Sequence, residues 1–202
     1  MDDELAPPSW LWRGVLSLSI LALLVGIGLS VATGVGGNAA RPALELGWSL
    51  CEPVALRAAA GDSQVYFVGR PLEAFVFEAA ASLQDDVESA EYGLVFRAQG
   101  ADRYRWFAVG GDGYLAVLQT ERGTETPLYE WQQFPHVRRG RAANRLRLSC
   151  GGGWCHFWLN DEYVTALPDG PETRGEVGLW VRSWGGEPAQ VLFDEVTIWE
   201  QK

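Results

Sequence analysis

The stretch from Asn144 to Asp161 constrains the fold more than any other, because its alternating pattern allows one strand pairing and excludes pairings that are shifted by one residue. Two alternating runs flank a glycine triplet, which predicts an antiparallel hairpin closed by a four-residue loop. Placing Cys150 opposite Cys155 sets the register. One face of the hairpin is then wholly apolar and must be buried, since a slip of one residue would mix the two faces. The apolar face consists of Leu146, Leu148, Phe157 and Leu159.

The other face of this hairpin is polar but contains an indole. The same register places Arg147 beside Trp158, a pairing typical of a cation–π contact, with Arg145 and His156 nearby. Trp184 lies in a Ser-Trp-Gly-Gly loop that no alternating pattern assigns to a core. An exposed indole next to hydrogen-bonding groups suits a sugar ring or the surface of a partner protein. Arg147, Trp158 and Trp184 are therefore the predicted ligand- or partner-binding residues.

An uncharged run at residues 14–33 predicts a membrane span. Its 20 residues would make a helix of about 30 Å, the thickness of a bilayer core. Trp10 and Trp12 lie where an interfacial aromatic belt is expected, with Arg13 at the boundary. A cleaved signal peptide is the alternative, but such a peptide usually has a basic start and a shorter apolar run, whereas this chain opens Met-Asp-Asp-Glu.

Small residues recur at every fourth position of this predicted span. A stripe of this kind lets a second helix approach closely in lipid, which predicts packing on a membrane-protein partner or on a second copy of the chain. The alternative is the ordinary composition of membrane helices, which are rich in small residues. The predicted packing residues are Ala22, Gly26, Ser30 and Gly34.

Beyond the span, residues 34–47 have the Gly, Pro and Ala content of a linker. From Trp48 onward the hydrophobic pattern has period two, and no segment shows a helical period. Residues 75–79, 92–96 and 177–181 all read as strands. Many short strands separated by turn signals predict an all-β sandwich or jelly roll over residues 48–202.

A second hairpin is predicted around the Gly-Gly-Asp-Gly turn at residues 110–113. Placing Val109 opposite Tyr114 assigns Phe107, Ala116 and Leu118 to one face. The opposite face then consists of Tyr104, Trp106, Leu115 and Val117. Both faces are apolar or aromatic, which predicts a central strand pair covered on both sides.

Six short motifs follow one another along the chain, namely Tyr92–Arg97, Tyr104–Phe107, Asn144–Leu148, Phe157–Asn160, Gly175–Leu179 and Phe193–Val196. In this order and spacing they resemble the concanavalin A-like lectin/glucanase superfamily, and they are most similar to bacterial domains of the 3-keto-disaccharide hydrolase or laminin G-like type. The resemblance covers roughly residues 73–199. It implies a two-sheet jelly roll, often found on secreted or anchored bacterial proteins and often associated with glycans. The positions that match are turns and core residues, so architecture transfers and activity does not.

The sequence lacks a recognisable catalytic pattern. Glycoside hydrolysis usually needs two facing carboxyl groups, and the glucanase branch of the superfamily supplies them as Glu-x-Asp-x-x-Glu along one strand. That pattern is absent, and the neighbouring Asp194 and Glu195 would point to opposite faces of a strand. No nucleophile motif, phosphate-binding loop or dinucleotide fingerprint is present. The chain is predicted to be non-catalytic, with an unrecognised sugar hydrolase site as the alternative.

No cofactor is predicted. An acidic stretch offers oxygen ligands of the kind that Ca²⁺ prefers, although a solvated loop accounts for it more simply. Its members are Asp85, Asp86, Glu88 and Glu91. Cys150, Cys155 and His156 suggest zinc, but His156 points away from both sulfurs in the predicted register and a fourth ligand is missing. A cross-strand disulfide between Cys150 and Cys155 is the better interpretation, which leaves Cys51 as a free thiol or an intermolecular bridge.

Charge and topology complete the prediction. The net charge of −10, without a basic cluster, argues against nucleic acid as a partner. A disulfide requires an oxidising compartment. We therefore expect a bacterial cytoplasmic-membrane protein with residues 1–13 inside and the β domain outside. Its predicted function is a non-catalytic module that binds glycan or docks on a membrane protein complex.

Overall fold

The structure, a computed structural model, describes residues 46–85 and 87–201, and all the regular elements in this part of the chain are β-strands. None of these residues forms a helix able to cross a membrane. The predicted span at residues 14–33, with its small-residue stripe, lies outside the described residues. The strands are β1 Leu46–Ser49, β2 Val54–Ala58, β3 Ser63–Phe67, β4 Phe75–Leu83, β5 Ala90–Gly100, β6 Arg103–Gly110, β7 Tyr114–Glu121, β8 Thr124–Gln133, β9 Asn144–Gly151, β10 Trp154–Leu159, β11 Glu162–Pro168, β12 Glu176–Ser183 and β13 Ala189–Glu200.

These strands form two antiparallel sheets. Sheet A has seven strands in the order β1-β13-β4-β9-β10-β11, with β2 also paired to β13. Sheet B has six strands in the order β3-β12-β5-β6-β7-β8. The chain crosses between the sheets at β2–β3, β3–β4, β4–β5, β8–β9, β11–β12 and β12–β13, the mixture of hairpins and crossovers that is typical of a jelly roll. The predicted all-β sandwich is confirmed, and β1 begins at Leu46, inside the end of the predicted linker.

The core lies between the two sheets and is filled by alternate residues of each strand. Phe157 of sheet A contacts Phe96 and Phe107 of sheet B, with ring centroids 5.7 and 5.4 Å apart. All three rings are buried. Burying a side chain of this size contributes about 1.5–3 kcal/mol, so the alternation along the strands accounts for the packing of the two sheets.

The predicted β9–β10 hairpin is confirmed in its register. Cys150 pairs with Cys155, and the two form a disulfide. The turn is shorter than expected, since Gly151 pairs with Trp154 and only Gly152 and Gly153 remain between the strands. Both glycines have positive φ, 61° and 84°, as a two-residue hairpin turn with the twist of its strands requires.

The predicted register of the β6–β7 hairpin is wrong by one residue. Val109 pairs with Leu115 rather than Tyr114. The strands extend to Gly110 and from Tyr114, so three residues lie between them instead of the predicted four. Phe107, Val109, Leu115 and Val117 therefore face the main core. The opposite face carries Tyr104, Trp106, Ala108, Ala116 and Leu118. The expectation that both faces of this pair are covered is confirmed, because a second cluster buries the outer side of sheet B.

This second cluster packs tryptophan against small residues. The rings of Trp106 and Trp180 lie 5.3 Å apart and both side chains are buried. Between Trp180 on β12 and Ala108 on β6 lies Gly93 on β5. A Cβ on Gly93 would lie 1.9 Å from the carbonyl oxygen of Phe107, so a larger residue would separate β5 from β6. Glycine is needed here for the close approach of two backbones.

A buried ion pair joins the sheets at the end of the sandwich that holds the disulfide. Arg97 lies at an irregularity of β5, where its φ is 56°. Its Nε donates to Oδ1 of Asp169 at 2.8 Å and its Nη2 donates to Oδ2 at 2.5 Å. Its Nη1 and Nη2 also donate to the backbone carbonyls of Leu72 and Glu73, respectively. Since each of the three nitrogens of this guanidinium has an acceptor, the charge is tolerated in the interior.

Candidate functional site

The structure brings Arg147 and Trp158 together on the outer face of sheet A. Trp158 pairs with Arg147 on β9 and with Tyr163 on β11, so three neighbouring strands place these side chains side by side. The guanidinium carbon of Arg147 lies 4.5 Å from the centroid of the Trp158 ring. This is the cation–π geometry that the hairpin register predicted.

Two further rings join this pair. His156 lies near-parallel to Trp158, with centroids 5.9 Å apart and planes at 29°. Tyr163 meets Trp158 edge-on at 5.7 Å, and its hydroxyl lies 3.4 Å from Nδ1 of His156. Partial burial raises the pKa of Tyr163, so its hydroxyl stays neutral and able to donate a hydrogen bond. We call Arg147, His156, Trp158 and Tyr163 the aromatic face.

The aromatic face is accessible. Tyr163 is 52% exposed, while His156 and Trp158 are partly buried. Trp154, two residues before His156 and therefore on the same side of β10, is 49% exposed. Rings at alternate positions of one strand are about 6.6 Å apart along the strand direction, so the exposed rings form a stripe along β10. Apolar ring faces beside polar groups can contact the C–H face of a sugar while donating to its hydroxyl groups.

Paired charges border the aromatic face. Arg145, one alternation before Arg147 on β9, donates to the carboxylates of Glu78 on β4 and Glu195 on β13. These two partners, the hydrogen bond to Glu78 first, raise the pKa of Arg145 above its usual value. Both carboxylates are thus held by one guanidinium. They are positioned as an ion-paired network rather than as a separate acid and base facing across a cleft.

Trp184 is not brought to the aromatic face. It follows β12 of sheet B, where its backbone N–H donates to the carbonyl of Ser89, whereas Arg147 and Trp158 lie on sheet A. It is exposed, at 59%, as the sequence pattern indicated. Its predicted role in binding stays a prediction, and it concerns a surface that is separate from the aromatic face.

Tyr163 was missed by the sequence reasoning. Its signal was the short alternating segment after the Asn160-Asp161 turn, where both residues have positive φ and return the chain as β11. A further set of charges on sheet B was also missed. There Arg182 donates to Glu91 at 2.9 Å and to Glu125 at 2.7 and 2.8 Å.

The acidic stretch does not act as one group. Glu91 lies in β5, buried, with its carboxylate on Arg182. Asp85 and Glu88 are exposed in the preceding connection, and Asp86 lies outside the described residues. The grouping of Glu91 with that loop is therefore wrong, because Glu91 already has a cationic partner.

The cysteine region is arranged as a buried disulfide. His156 points to the outer face of sheet A, while both sulfurs are in the core. Oδ1 of Asp169 lies 3.4 Å from Sγ of Cys155. Three such groups within ligand distance of one another would otherwise suggest a metal, but the sulfurs are bonded to each other and Asp169 to Arg97. Cys51 is an exposed free thiol.

Comparison with known proteins identifies the architecture. No protein-family model and no curated protein sequence matches this chain. Among solved structures, the carbohydrate binding module CBM66 from Bacillus subtilis superposes with a TM-score of 0.62 at 16% identity, over 78% of this chain and 98% of that one. The fold is the concanavalin A-like jelly roll.

Other solved structures agree. A functionally unknown protein from Saccharomyces cerevisiae gives a TM-score of 0.53 at 12% identity, over 79% of this chain and 94% of that one. The fructosyltransferase from A. japonicus gives 0.52 at 13% identity, over 77% of this chain but only 26% of that one. At these identities the similarity establishes the fold and not the site. The jelly-roll fold that the resemblance implied is confirmed.

Proposed function

We propose that this chain is a single-pass, membrane-anchored, non-catalytic module that binds glycan through the aromatic face. The observation that carries the proposal is the partly exposed cluster of Trp158, His156 and Tyr163 beside the Arg147 guanidinium. Stacked rings supply the apolar contact that a pyranose or furanose ring needs, and guanidinium, imidazole and phenol supply donors for its hydroxyl groups. The carbohydrate-binding name of one structural neighbour supports the same class of ligand.

The non-catalytic part of the proposal rests on the carboxylates near this face. Glu78 and Glu195 are both engaged by Arg145. A retaining or inverting glycosidase needs one carboxyl group free to protonate the leaving oxygen and a second free to attack or to activate water. Because Arg145 already holds both carboxylates, neither is free for these two roles.

The membrane part rests on the uncharged run at residues 14–33 and on the disulfide. The proposed location is the cytoplasmic membrane of a bacterium, with residues 1–13 inside and the jelly roll outside. Docking on a membrane protein complex, or pairing with a second copy through Ala22, Gly26, Ser30 and Gly34, is the second candidate function. The small-residue spacing of that stripe favours it.

The test is Trp158→Ala in the full chain, in a detergent without a sugar headgroup. Retention is measured on beads coated with a β-glucan, a xylan, a galactan or a fructan. We expect the polysaccharide that the wild type binds to be bound about 5- to 150-fold more weakly, the effect of losing a hot-spot aromatic worth about 1–3 kcal/mol. A near-unchanged thermal unfolding midpoint would show that the variant is folded.

Trp184→Ala is the matched control, since it removes an exposed indole from the other sheet. We expect it to retain binding. Equal losses in both variants would instead assign Trp158 and Trp184 to one ligand surface. Unchanged binding by Trp158→Ala, or no retention of the wild type on any bead, would contradict the aromatic face as the site. Release of reducing sugar by the wild type would favour the alternative, a hydrolase.

A further inference from the structure

Trp154 lies on the same side of β10 as the aromatic face but is surrounded differently. Its neighbours on the adjacent strands are Gly151 of β9 and Pro168 of β11. The turn that precedes it consists of Gly152 and Gly153. Because the three glycines contribute no side chains, the indole is 49% exposed. A ring in these surroundings can offer its face to a ligand.

An irregularity in the pairing of β10 with β11 brings Tyr163 to the same surface. The pairing is regular up to Phe157, which lies opposite Thr165. Its regular continuation would place Val164 opposite Trp158 and would turn Tyr163 toward the core. The extra residue instead leaves Tyr163 opposite Trp158 on the outer face, while Val164 packs against the core. Bulges re-aim side chains in this way and are frequent beside binding sites.

The result is a stripe along β10 with an exposed ring at each end, Trp154 at one and Tyr163, beside Trp158, at the other. The strand advances about 13 Å from Trp154 to Trp158, at about 3.3 Å per residue. A six-membered ring built from bonds of about 1.5 Å is about 3 Å across, and linked rings of this kind repeat at about 5 Å. The stripe is therefore about as long as three consecutive sugar units.

Neither turn at the ends of the stripe encloses a ligand. At the Trp154 end the turn residues are Gly152 and Gly153, which have no side chains to close over a sugar. At the other end the Asn160 amide donates to the backbone carbonyl of His136, so it holds a loop instead of reaching over the stripe. A site for a single terminal unit buries most of that unit in a cavity. An open stripe lets a polymer continue past both ends.

We propose that Trp154, His156, Trp158 and Tyr163 bind an inner stretch of a linear polysaccharide, about three units long, laid along β10. The inference rests on the proposed function, because the aromatic face must bind glycan for it to hold. It adds the form of the ligand, a chain recognised along its length, and a further binding residue, Trp154. Since Trp154 lies about 13 Å along the strand from Trp158, it should contribute only to ligands long enough to reach both.

The experiment measures affinity against ligand length by microscale thermophoresis, on the full chain in a detergent without a sugar headgroup. The probes are cello-, xylo-, galacto- and fructo-oligosaccharides, from the monosaccharide to the hexasaccharide. For the series that the wild type binds, we expect affinity to rise up to the trisaccharide and then to level off. In Trp154→Ala the trisaccharide should bind about 5- to 150-fold more weakly, the effect of losing an aromatic anchor, and no more tightly than the disaccharide.

Trp184→Ala, which removes an exposed indole from the other sheet, is the matched control and should keep the wild-type length dependence. An unchanged thermal unfolding midpoint would show that each variant is folded. A monosaccharide bound as tightly as its trisaccharide would overturn the inner-stretch site and leave the proposed function standing. So would a folded Trp154→Ala variant with the wild-type length dependence, or loss of tetrasaccharide binding when its reducing end is converted to the methyl glycoside. No binding of any probe by the wild type would overturn both proposals.

Discussion

At the scale of single residues, Glu91 shows how burial and pairing compete. Glu91 is 8% exposed, and its carboxylate accepts a hydrogen bond from Nε of Arg182. Burial raises its pKa above the usual 4.5, and the opposing effect of Arg182 does not fully compensate. Desolvation of the charged form therefore outweighs the attraction of one guanidinium, which is shared with Glu125.

This balance predicts a pH dependence of stability. Between 4.5 and the raised folded pKa, the unfolded chain is ionised at Glu91 while the folded chain holds the proton. Unfolding then releases a proton, so the stability from Glu91 is present below 4.5 and is lost as the pH rises through the folded pKa. Glu91→Gln cannot ionise. We expect its free energy of unfolding, relative to the wild type, to increase as the pH rises above 4.5.

Urea unfolding at a series of pH values measures this difference, with Glu125→Gln as the control because that carboxylate is the more exposed partner of Arg182. The same pH profile for wild type and Glu91→Gln would show that burial does not govern Glu91. A relative loss of stability in Glu91→Gln at neutral pH would show that the Arg182 pair outweighs desolvation.

At the scale of elements, the β9–β10 hairpin carries Arg147, His156 and Trp158 of the aromatic face. Both its packing and the disulfide hold its two strands together. The disulfide spans a sequence separation of only 5. Its effect on the entropy of the unfolded chain is correspondingly small, since that effect grows with the length of the closed loop. Register is set independently by the apolar pairs Leu146–Leu159 and Leu148–Phe157.

We therefore predict that Cys150→Ala/Cys155→Ala lowers the free energy of unfolding by roughly 2 kcal/mol while the hairpin keeps its register. Chemical denaturation measures the first effect, and retained glycan binding with unchanged near-ultraviolet circular dichroism measures the second. Cys51→Ser, at an exposed thiol, is the control and should leave stability unchanged. Loss of binding in a folded double variant would mean that the disulfide, rather than the packing, positions Trp158.

At the scale of the whole molecule, orientation across the membrane is the property that connects the predicted span with the jelly roll. The three cysteines of the sequence make it measurable, because two are joined and Cys51 is exposed. A reagent that reacts only with free thiols would therefore report the position of the jelly roll at a single residue.

We predict that a membrane-impermeant maleimide labels Cys51 in spheroplasts without prior lysis. The proposed topology places this residue outside, a few residues beyond the predicted linker. Cys51→Ser should abolish the labelling, which identifies the residue. Labelling that appears only after lysis would place the domain in the cytoplasm and contradict the proposed location.

The alternation of apolar and polar residues along the sequence by itself determined much of the fold of this protein. The β9–β10 register followed from the sequence because one face is apolar and the other polar, so any slip would bury Arg145 or Arg147. The same reasoning failed for β6–β7, where residues on both faces are apolar and two registers bury equally well. Only the tertiary structure decided that case, because Phe107 and Val117 fit the main core whereas Trp106 and Ala116 fit the outer cluster.

The exposure of Trp184 and the disulfide were also within reach of local pattern, since each depends on residues close in sequence. The Arg97–Asp169 pair was not, because its two residues lie 72 residues apart. The separation of Trp184 from Trp158 likewise follows from which sheet each strand joins. Periodicity specifies which face of a strand is buried, but only the crossovers between sheets bring together side chains from distant strands.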